Sequence, residues 1–341
     1  MAVVSITRPT TLKETFSFYM PSSKIRDLEA CGQLADAVTV KGPKGPATVR
    51  AMRAGGWDPP VIFDRSGYDP RVPPIDPERW FDDQAGAGAD RLLTAGTWVP
   101  WDETGAALKQ AVEVEAKRTS SQPDATAVLA IDHRWLTKVP LDLTSALDEL
   151  DRRVALVLAH PTDPLSARNA VHGLVAVVKS VSDVSILRTD HGGLGAIVHG
   201  ACHAAIGLIP SHRHLVPVGK SGGGKTGDRS ARVFIREMMD WFTGETIAGW
   251  VTVSWKPRCH LDCCHGQSLD RFFDERLERE ALVHNRTTLA RLADDILDAP
   301  REERRRLFAE ACSQATEHYG AMGKLSMVTK PKPQLLQWAF V

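Results

Sequence analysis

The chain has little of what marks several classes of protein. Only 6% of its 341 residues are aromatic, and its formal net charge is zero. Zero net charge argues against a strongly basic, non-specific polyanion binder, because phosphate binding needs local positive charge. No apolar run approaches the roughly 20 residues that span a bilayer. The first eight residues also lack the apolar core of a signal peptide. We therefore expect a cytoplasmic protein with no membrane partner.

Cysteine is scarce, but half of it is clustered. The chain has six cysteines, and three of them fall within a stretch of six residues that is followed by a histidine further on. Thiolate and imidazole are the ligands of closed tetrahedral zinc sites, and a reducing compartment favours metal over disulfides. The predicted structural zinc ligands are Cys259, Cys263, Cys264 and His284. His260 or His265 could be the fourth ligand instead, and a cysteine-rich turn without metal is the other interpretation.

Short, nearly continuous apolar runs alternate with helical patterns along the chain. Such runs are typical of strands buried on both faces, and their alternation with helices indicates parallel pairing. The predicted strands are 16–20, 37–41, 60–64, 127–132, 154–160, 184–190, 204–210 and 249–255. The fold class predicted from this pattern is α/β, specifically a (β/α)₈ TIM barrel with a C-terminal zinc-binding helical subdomain.

The predicted domain organisation follows from the same pattern. The barrel is expected to occupy residues 1–256, with an insertion near 69–102 and a glycine-rich loop at 219–228. Residues 257–320 are expected to form the zinc-binding helical subdomain. Residues 321–341 are expected to form a C-terminal tail.

Acidic residues close several predicted strands. The three strand-end aspartates are Asp64, Asp132 and Asp190. Cationic and imidazole side chains occur at comparable ends, namely Arg188, His160, His212 and Arg213. Barrel active sites lie at the carboxyl ends of the strands, and convergent carboxylates can provide a nucleophile, a general acid/base and a base-recognition acceptor. Each aspartate alone could instead cap a helix or begin a turn.

These motifs resemble the tRNA-guanine transglycosylase superfamily, which includes queuine- and archaeosine-type transglycosylases and their DNA-modifying relatives. Residues 64–68, Asp-Arg-Ser-Gly-Tyr, are similar to the family's Asp-Ser-Gly-Gly-Phe. Residues 192–194, Gly-Gly-Leu, match a segment whose backbone contacts the base. The spacing of Cys259 and Cys264, with the pair His284-Asn285, resembles the family's zinc element. The resemblance covers residues 12–320 as scattered short motifs.

The resemblance implies a (β/α)₈ barrel with structural zinc that exchanges a guanine base in nucleic acid for a 7-deazaguanine-type base. The reaction passes through a covalent aspartyl-sugar intermediate, and the target nucleotide must leave its stack. It leaves open whether the substrate is tRNA or DNA, and whether the protein forms a homodimer or has a heteromeric partner.

The resemblance also assigns roles to individual residues. Asp64 is the expected general acid/base, and Asp132 is the expected reader of the base. The other expected substrate-binding residues are Ser66, Gly67, His160, Gly192 and Gly193. The family's nucleophilic aspartate has no counterpart in 204–213 or 249–256, so Asp190 is the strand-end substitute. Loss of that nucleophile leaves a second interpretation, a non-catalytic zinc-containing nucleic-acid-binding subunit.

The glycine-rich loop gives a third interpretation. Residues 219–226 fit the P-loop pattern G-x-x-x-x-G-K-[ST], whose backbone amides cradle phosphates. Gly227-Asp228 interrupts the helix that a P-loop needs directly afterwards. We therefore favour a loop over the barrel mouth that contacts nucleic-acid phosphates through Lys220, Lys225 and Arg229, with a P-loop nucleotide-binding protein as the alternative.

Overall fold

The computed structural model describes residues 15–29, 37–217, 219–220, 230–251, 255–324 and 330–341. The chain divides into two compact units. The first unit comprises the described residues up to Gly207, together with 211–217 and 219–220. The second unit comprises 208–210 and the described residues from Ser230 onward.

The first unit is an α/β fold built on a curled parallel sheet of eight strands. The strands are β1 (Thr15–Pro21), β2 (Val38–Lys41), β3 (Val61–Asp64), β4 (Thr97–Val99), β5 (Ala127–Asp132), β6 (Val154–Ala159), β7 (Val184–Thr189) and β8 (His203–Gly207). Their order in the sheet is β3-β2-β1-β8-β7-β6-β5-β4, and every neighbouring pair is parallel. All residues of β5, β6 and β7 are buried, which explains their continuous apolar sequences.

Helices connect these strands. They are α1 (Ser22–Glu29), α2 (Gly45–Arg53), α3 (Pro77–Ala85), α4 (Ala106–Thr119), α5 (Arg134–Thr137), α6 (Pro140–Glu149), α7 (Ala170–Ser180) and α8 (Gly192–His199). The start of α3 shows how the local sequence begins a helix. The Asp76 carboxylate accepts a hydrogen bond from the Arg79 amide at 3.0 Å, and Pro77 begins the helix without an amide to satisfy. No helix within the described residues has the length and apolar character of a bilayer span.

Seven of the eight strands predicted from the sequence are confirmed, and the eighth is wrong. Residues 244–251, where strand 249–255 was expected to begin, form a helix, and 252–254 lie outside the described residues. Trp250 is buried there and its ring packs on Phe242 with centroids 4.7 Å apart. A short apolar run fits a buried helix as well as a strand, so periodicity alone does not separate the two. The eighth parallel strand is β4, which lies inside 69–102.

Residues 90–93, which precede β4, pair with β3 on one side and with the residue before β5 on the other. Arg91 forms a parallel bridge with Ile62 of β3, and Leu93 forms one with Thr126 beside β5. The Asp90 amide also donates to the Val61 carbonyl at 2.9 Å. The chain between β3 and β5 is therefore paired on both sides.

Close helix packing in this unit depends on one glycine. A Cβ atom at Gly173, in α7, would lie 2.0 Å from the Leu136 carbonyl oxygen of α5. We expect Gly173→Ala to lower the free energy of unfolding by about 3 kcal/mol, because backbone must move to admit the methyl group. Urea unfolding measures the change.

Gly320→Ala is the matched control, since a Cβ there meets no atom within 4 Å. It should be neutral or stabilising by up to about 1 kcal/mol. Equal stability of Gly173→Ala and the wild type would show that α5 and α7 do not pack as described.

The second unit combines a two-stranded antiparallel sheet with helices. Its elements are β9 (Arg232–Ile235), β10 (Asp240–Thr243), α9 (Gly244–Val251), α10 (Glu278–Leu297), α11 (Arg301–Lys324) and α12 (Pro333–Ala339). Buried Asp240 joins three segments, since it accepts from the Tyr319 hydroxyl at 2.7 Å and pairs with Lys332 at 2.6 Å. Trp338 of α12 is fully buried and meets Phe308 edge to face.

Candidate functional site

The inner face of the sheet is apolar along its middle and polar at its carboxyl end. The apolar cluster includes Tyr19, Ala130, Val157 and Leu187. Lys41 and Asp64 close β2 and β3 side by side in register, and Asp132 closes β5 beside Ala159. We call this polar rim the carboxyl edge. It is the position at which ligands bind to parallel α/β sheets.

Asp64 is the most enclosed carboxylate of the carboxyl edge. It is 1% exposed, and its Oδ2 accepts hydrogen bonds from the hydroxyls of Tyr19 at 2.5 Å and Tyr68 at 2.6 Å. Its Oδ1 accepts from the Ser66 amide at 2.7 Å. Burial and the neighbouring Asp64 charge raise the pKa of both phenols, so they remain protonated donors.

The turn that follows Asp64 brings Ser66 and Gly67 to the same place. Ser66 has a left-handed φ of 61°. The Gly67 amide donates to the Ala95 carbonyl at 2.7 Å, and a Cβ at Gly67 would lie 2.6 Å from that oxygen. Glycine is therefore required here by close backbone approach.

Asp132 lies at the carboxyl edge in contact with cationic and imidazole groups. Its two oxygens accept from Nε and Nη2 of Arg134, both at 2.9 Å, and Nδ1 of His133 lies 3.2 Å from Oδ1. Burial acts against the charged carboxylate, but these contacts outweigh burial and lower the pKa of Asp132. His160 follows β6 and packs edge to face on His133, with ring centroids 4.4 Å apart.

Asp190 begins the turn between β7 and α8. It is buried, and its Oδ1 accepts from the Gly192 amide at 2.8 Å. Its backbone carbonyl accepts from the Gly193 amide at 2.9 Å. A Cβ at Gly193 would lie 2.6 Å from a methyl group of Thr189. The Gly-Gly pair thus allows the first turn of α8 to lie against the sheet.

Two histidines after β8 and one arginine near the end of β7 complete the carboxyl edge. Arg188 has a left-handed φ of 54° and is buried. Burial acts against its charge, but Tyr68, Tyr19 and Asp64 outweigh burial and raise its pKa. Burial, with Lys41 and Arg188 nearby, lowers the pKa of His212 to about 3. Burial and Arg188 lower the pKa of His214 to about 4, against the opposing charge of Asp190. These histidines are neutral at pH 7.

Some residues of this edge gave little signal in the sequence. Tyr19 and Asp64 are 45 positions apart in the chain, so their hydrogen bond depends on the register of the strands that carry them. Trp98 is partly buried, packs against the apolar cluster, and pairs in register with Ala130, two residues before Asp132. Its strand has only three residues, and the aromatic-β-branched run Thr97-Trp98-Val99 was the one signal that could have located it.

Buried neutral histidine makes this unit sensitive to acid. Burial, followed by Arg91, lowers the pKa of His203 to about 3, below the unfolded value of about 6.5. As pH falls from 6.5 towards 3, the unfolded chain binds more protons and stability declines. From pH 7 to pH 5, the wild type should lose about 2 kcal/mol more than His203→Gln.

Urea unfolding at the two pH values measures this difference. Exposed His172 supplies the control, His172→Gln, which should lose as much stability as the wild type. The same acid loss in all three proteins would contradict the neutral, buried state of His203.

The second unit brings Cys259, Cys263, Cys264 and His284 together, and these four could hold a metal ion. Their ligand atoms all lie within 4.8 Å of one another. His284 is on α10, and the cysteines lie on a turn in which His265 and Gly266 have φ values of 50° and 77°. The backbone turns tightly there, since the amides of Cys264 and His265 both donate to the Leu261 carbonyl at 2.9 Å. Among the described residues, His260 and His265 do not belong to the group.

The distances fit a tetrahedral zinc ion. With Zn–S near 2.3 Å and Zn–N near 2.0–2.1 Å, ligand edges should be about 3.8 Å between sulfurs and about 3.5 Å from sulfur to nitrogen. Sγ of Cys263 lies 3.8 Å from Cys259 and 3.7 Å from Cys264. Nδ1 of His284 lies 3.4 Å from Cys264 and 4.0 Å from Cys263. The four atoms are thus spaced for one small ion with no further protein ligand.

Outer contacts orient these ligands. Nε2 of His284 lies 3.0 Å from the Phe234 carbonyl, which fixes Nδ1 toward the thiols. Nη2 of Arg271 donates to Sγ of Cys264 at 3.3 Å. Positive charge beside a thiolate favours deprotonation, which metal binding requires.

Asn285 ties the same helix to the small sheet. Its Oδ1 accepts from the Phe234 amide at 2.8 Å, and its Nδ2 donates to the Arg232 carbonyl at 2.8 Å. We expect Asn285→Ala to lower the free energy of unfolding by about 2–4 kcal/mol, because two backbone groups of β9 lose their partner. Exposed Glu280, also on α10, provides the control Glu280→Ala, which should change stability by less than about 0.5 kcal/mol.

The remaining predicted site residues belong to the glycine-rich loop. Lys220 is exposed at the end of the first unit, and its amide donates to the Pro217 carbonyl at 3.0 Å. Lys225 and Arg229 lie outside the described residues. Nothing in the structure bears on the P-loop interpretation.

Comparisons with known proteins give no match. No protein-family model matches the chain, and no curated protein or solved structure matches it. The function must therefore be inferred from the carboxyl edge and the cysteine cluster themselves.

Proposed function

We propose that the protein is a zinc-containing enzyme of the guanine transglycosylase type. It would exchange a guanine base in tRNA or DNA for a 7-deazaguanine-type base. The observation that carries the proposal is the set of acidic side chains at one carboxyl edge, with Asp64 and Asp132 on the inner face, in a chain that also has a Cys₃His group. Base exchange needs carboxylates for proton transfer, base reading and attack on the sugar.

The proposal includes closure of the sheet into a full (β/α)₈ barrel. The order β3-β2-β1-β8-β7-β6-β5-β4 is that of such a barrel opened between β3 and β4. The bridges from Arg91 to Ile62 and from Leu93 to Thr126 support closure at that gap. Closure would bring Asp64 and Asp132 around one mouth.

The proposed roles follow the geometry of each carboxylate. Asp64 is the general acid/base and acts through the Tyr68 hydroxyl, which donates to it at 2.6 Å. Asp132 reads the base after Arg134, whose side chain is 45% exposed, turns outward. Asp190 attacks the sugar carbon C1′ as guanine leaves. Neutral His160 beside Asp132 supplies a further contact to the base.

The proposed metal is zinc in a structural role. Three thiolates and one imidazole complete its tetrahedron and leave no position for substrate. Zinc would join the cysteine turn to α10 and stabilise the second unit. The described cysteines are free thiols, which fits a reducing compartment such as the cytoplasm.

A specific observation favours a second candidate, a non-catalytic nucleic-acid-binding subunit. Each strand-end carboxylate already has protein partners: Asp64 accepts from two phenols, Asp132 pairs with Arg134, and Asp190 accepts from the Gly192 amide. Carboxylates satisfied in this way can stabilise a fold without reacting. The two candidates differ in whether a covalent intermediate forms.

Denaturing gels separate the candidates. We expect incubation of the wild type with tRNA or DNA to give a protein–nucleic acid adduct that withstands denaturation, because the sugar becomes esterified to the enzyme. Asp190→Asn should abolish the adduct. Asp163→Asn, which changes a turn carboxylate after β6, is the control and should retain it. If folded wild type gives no adduct with either nucleic acid, the enzyme is rejected, and a gel shift of the same nucleic acid by the protein would then support the binding subunit.

A further inference from the structure

Two cations lie beside Asp64 at the carboxyl edge. Lys41 is in register with Asp64, so the two side chains occupy neighbouring strands on one face. Arg188 is the second-last residue of β7, where a register irregularity and its left-handed φ of 54° turn the chain. Tyr68, which donates to Asp64, also lies within hydrogen-bond reach of Arg188. Lys41, Asp64 and Arg188 therefore belong to one group.

Arg188 has fewer hydrogen-bond partners among the described residues than its five N–H donors can use. It is 7% exposed, and its Nη2 donates to the Ser211 carbonyl at 2.8 Å. Its Nε has no hydrogen-bond partner, and no carboxylate oxygen of the described residues lies within 4.0 Å. Burying an N–H donor of a cation without a hydrogen-bond partner is unfavourable. Arg188 is therefore arranged to bind an anion.

His212 adds a third group with an unused polar atom. It follows Ser211, its ring packs edge to face on Tyr19 with centroids 5.6 Å apart, and it is 4% exposed. Its Nδ1 has no partner among the described residues. As a neutral imidazole it can donate one hydrogen bond without adding charge.

The charges of this group leave a positive excess. Lys41 and Arg188 are cations, and Asp64 is the one carboxylate held among them. Asp69, the next acidic residue near Lys41, is paired with exposed Arg71 at 2.6 Å. One positive charge therefore remains, which matches a singly charged anion. A phosphate diester of a polynucleotide carries one negative charge.

We propose that Arg188, Lys41 and His212 bind a backbone phosphate diester of the nucleic acid. Loops after the seventh and eighth strands form the phosphate site of many barrel enzymes. Here His212 follows β8, and Arg188 lies near the end of β7. Bidentate guanidinium contacts suit phosphate oxygens, with lysine as a point charge. The site rests on the proposed function for the identity of its nucleic-acid ligand. It accounts for Nε of Arg188 and Nδ1 of His212, which are buried without a hydrogen-bond partner among the described residues.

Calorimetric titration with small probes tests this site without requiring catalysis. The probes are guanosine, the dinucleoside monophosphate guanylyl-(3′→5′)-uridine and inorganic phosphate. We expect the dinucleotide to bind at least about tenfold more tightly than guanosine, since a charge-assisted contact to phosphate is gained. Arg188→Met and Lys41→Gln should each remove most of that advantage and leave guanosine binding unchanged. Exposed Arg71→Gln is the control and should retain it.

Thermal melting of the free protein separates a ligand site from a structural arginine. Arg188→Met should melt at the wild-type temperature or above it, because a buried guanidinium with an unpartnered Nε is replaced by an apolar side chain. A clearly lower melting temperature would assign Arg188 a structural role and overturn the proposal. Equal binding of guanosine and the dinucleotide by the wild type would also overturn it, as would tighter binding of inorganic phosphate than of the dinucleotide.

The outcomes also separate this site from the proposed function. If the dinucleotide binds more tightly than guanosine but no covalent adduct forms, the phosphate site is supported and the enzymatic function is rejected. If base exchange occurs but the dinucleotide binds no more tightly than guanosine, the enzymatic function is supported and the phosphate site is rejected. Lys41→Gln, at a half-buried position, keeps the test valid if Arg188→Met does not fold.

Discussion

Replacement of Cys264 by serine or of His284 by alanine is expected to remove zinc and unfold the second unit. Zinc binding to structural sites contributes about 10–16 kcal/mol at neutral pH. That is as large as the roughly 5–15 kcal/mol by which a domain is stable. Metal analysis should find one zinc per chain in the wild type and none in either variant. Limited proteolysis should then cut between 255 and 324 in the variants alone.

His260→Ala is the control for this prediction. His260 is exposed, lies within the same cysteine turn and does not belong to the ligand group, so this variant should keep its zinc. A strong chelator added to the wild type should reproduce the proteolysis of the variants. Zinc retained in both Cys264→Ser and His284→Ala would mean that the ligand set is wrong.

Asp64→Asn is expected to lower kcat/KM for base exchange by at least about 100-fold. The asparagine keeps the size of the side chain but loses the negative charge that accepts from Tyr19 and Tyr68. It can no longer take up the proton through the Tyr68 hydroxyl. Tyr68→Phe should also lower kcat/KM, because it removes the hydroxyl through which the proton passes to Asp64.

Asp69→Asn is the matched control. Asp69 lies close in sequence but pairs with exposed Arg71, so its loss should change kcat/KM by no more than about twofold. Circular dichroism should show that all these variants are folded. Full activity of folded Asp64→Asn would remove Asp64 from the mechanism.

The sequence predicted most of the sheet because of how the strands are buried. Strands β5, β6 and β7 have both faces covered, so their apolar runs are continuous and easily recognised. Strand β4 has only three residues, and its neighbours were read as an insertion. The run 249–255 has the composition of a strand, yet residues 244–251 are helical, because local composition does not separate a buried helix from a buried strand.

The candidate site was predictable where it depends on chain position and unpredictable where it depends on packing. Asp64 and Asp132 close buried strands, and that position alone placed them at the carboxyl edge. The contacts of Asp64 with Tyr19 depend on register between distant strands. Likewise, the sequence showed Cys263 and Cys264 as neighbours, which usually point apart. The tight turn from Leu261 to His265 brings both thiols to His284.

Incorporation of radiolabelled guanine into nucleic acid is the measurement that tests the proposed function most directly. Wild-type protein loaded with zinc would be incubated with unfractionated tRNA and, separately, with DNA, and label in the precipitated nucleic acid would be counted. We expect incorporation into one of the two nucleic acids by the wild type, and a rate at least about 100-fold lower for Asp64→Asn. Absence of incorporation into both by folded, zinc-containing wild type would contradict the assignment as a transglycosylase.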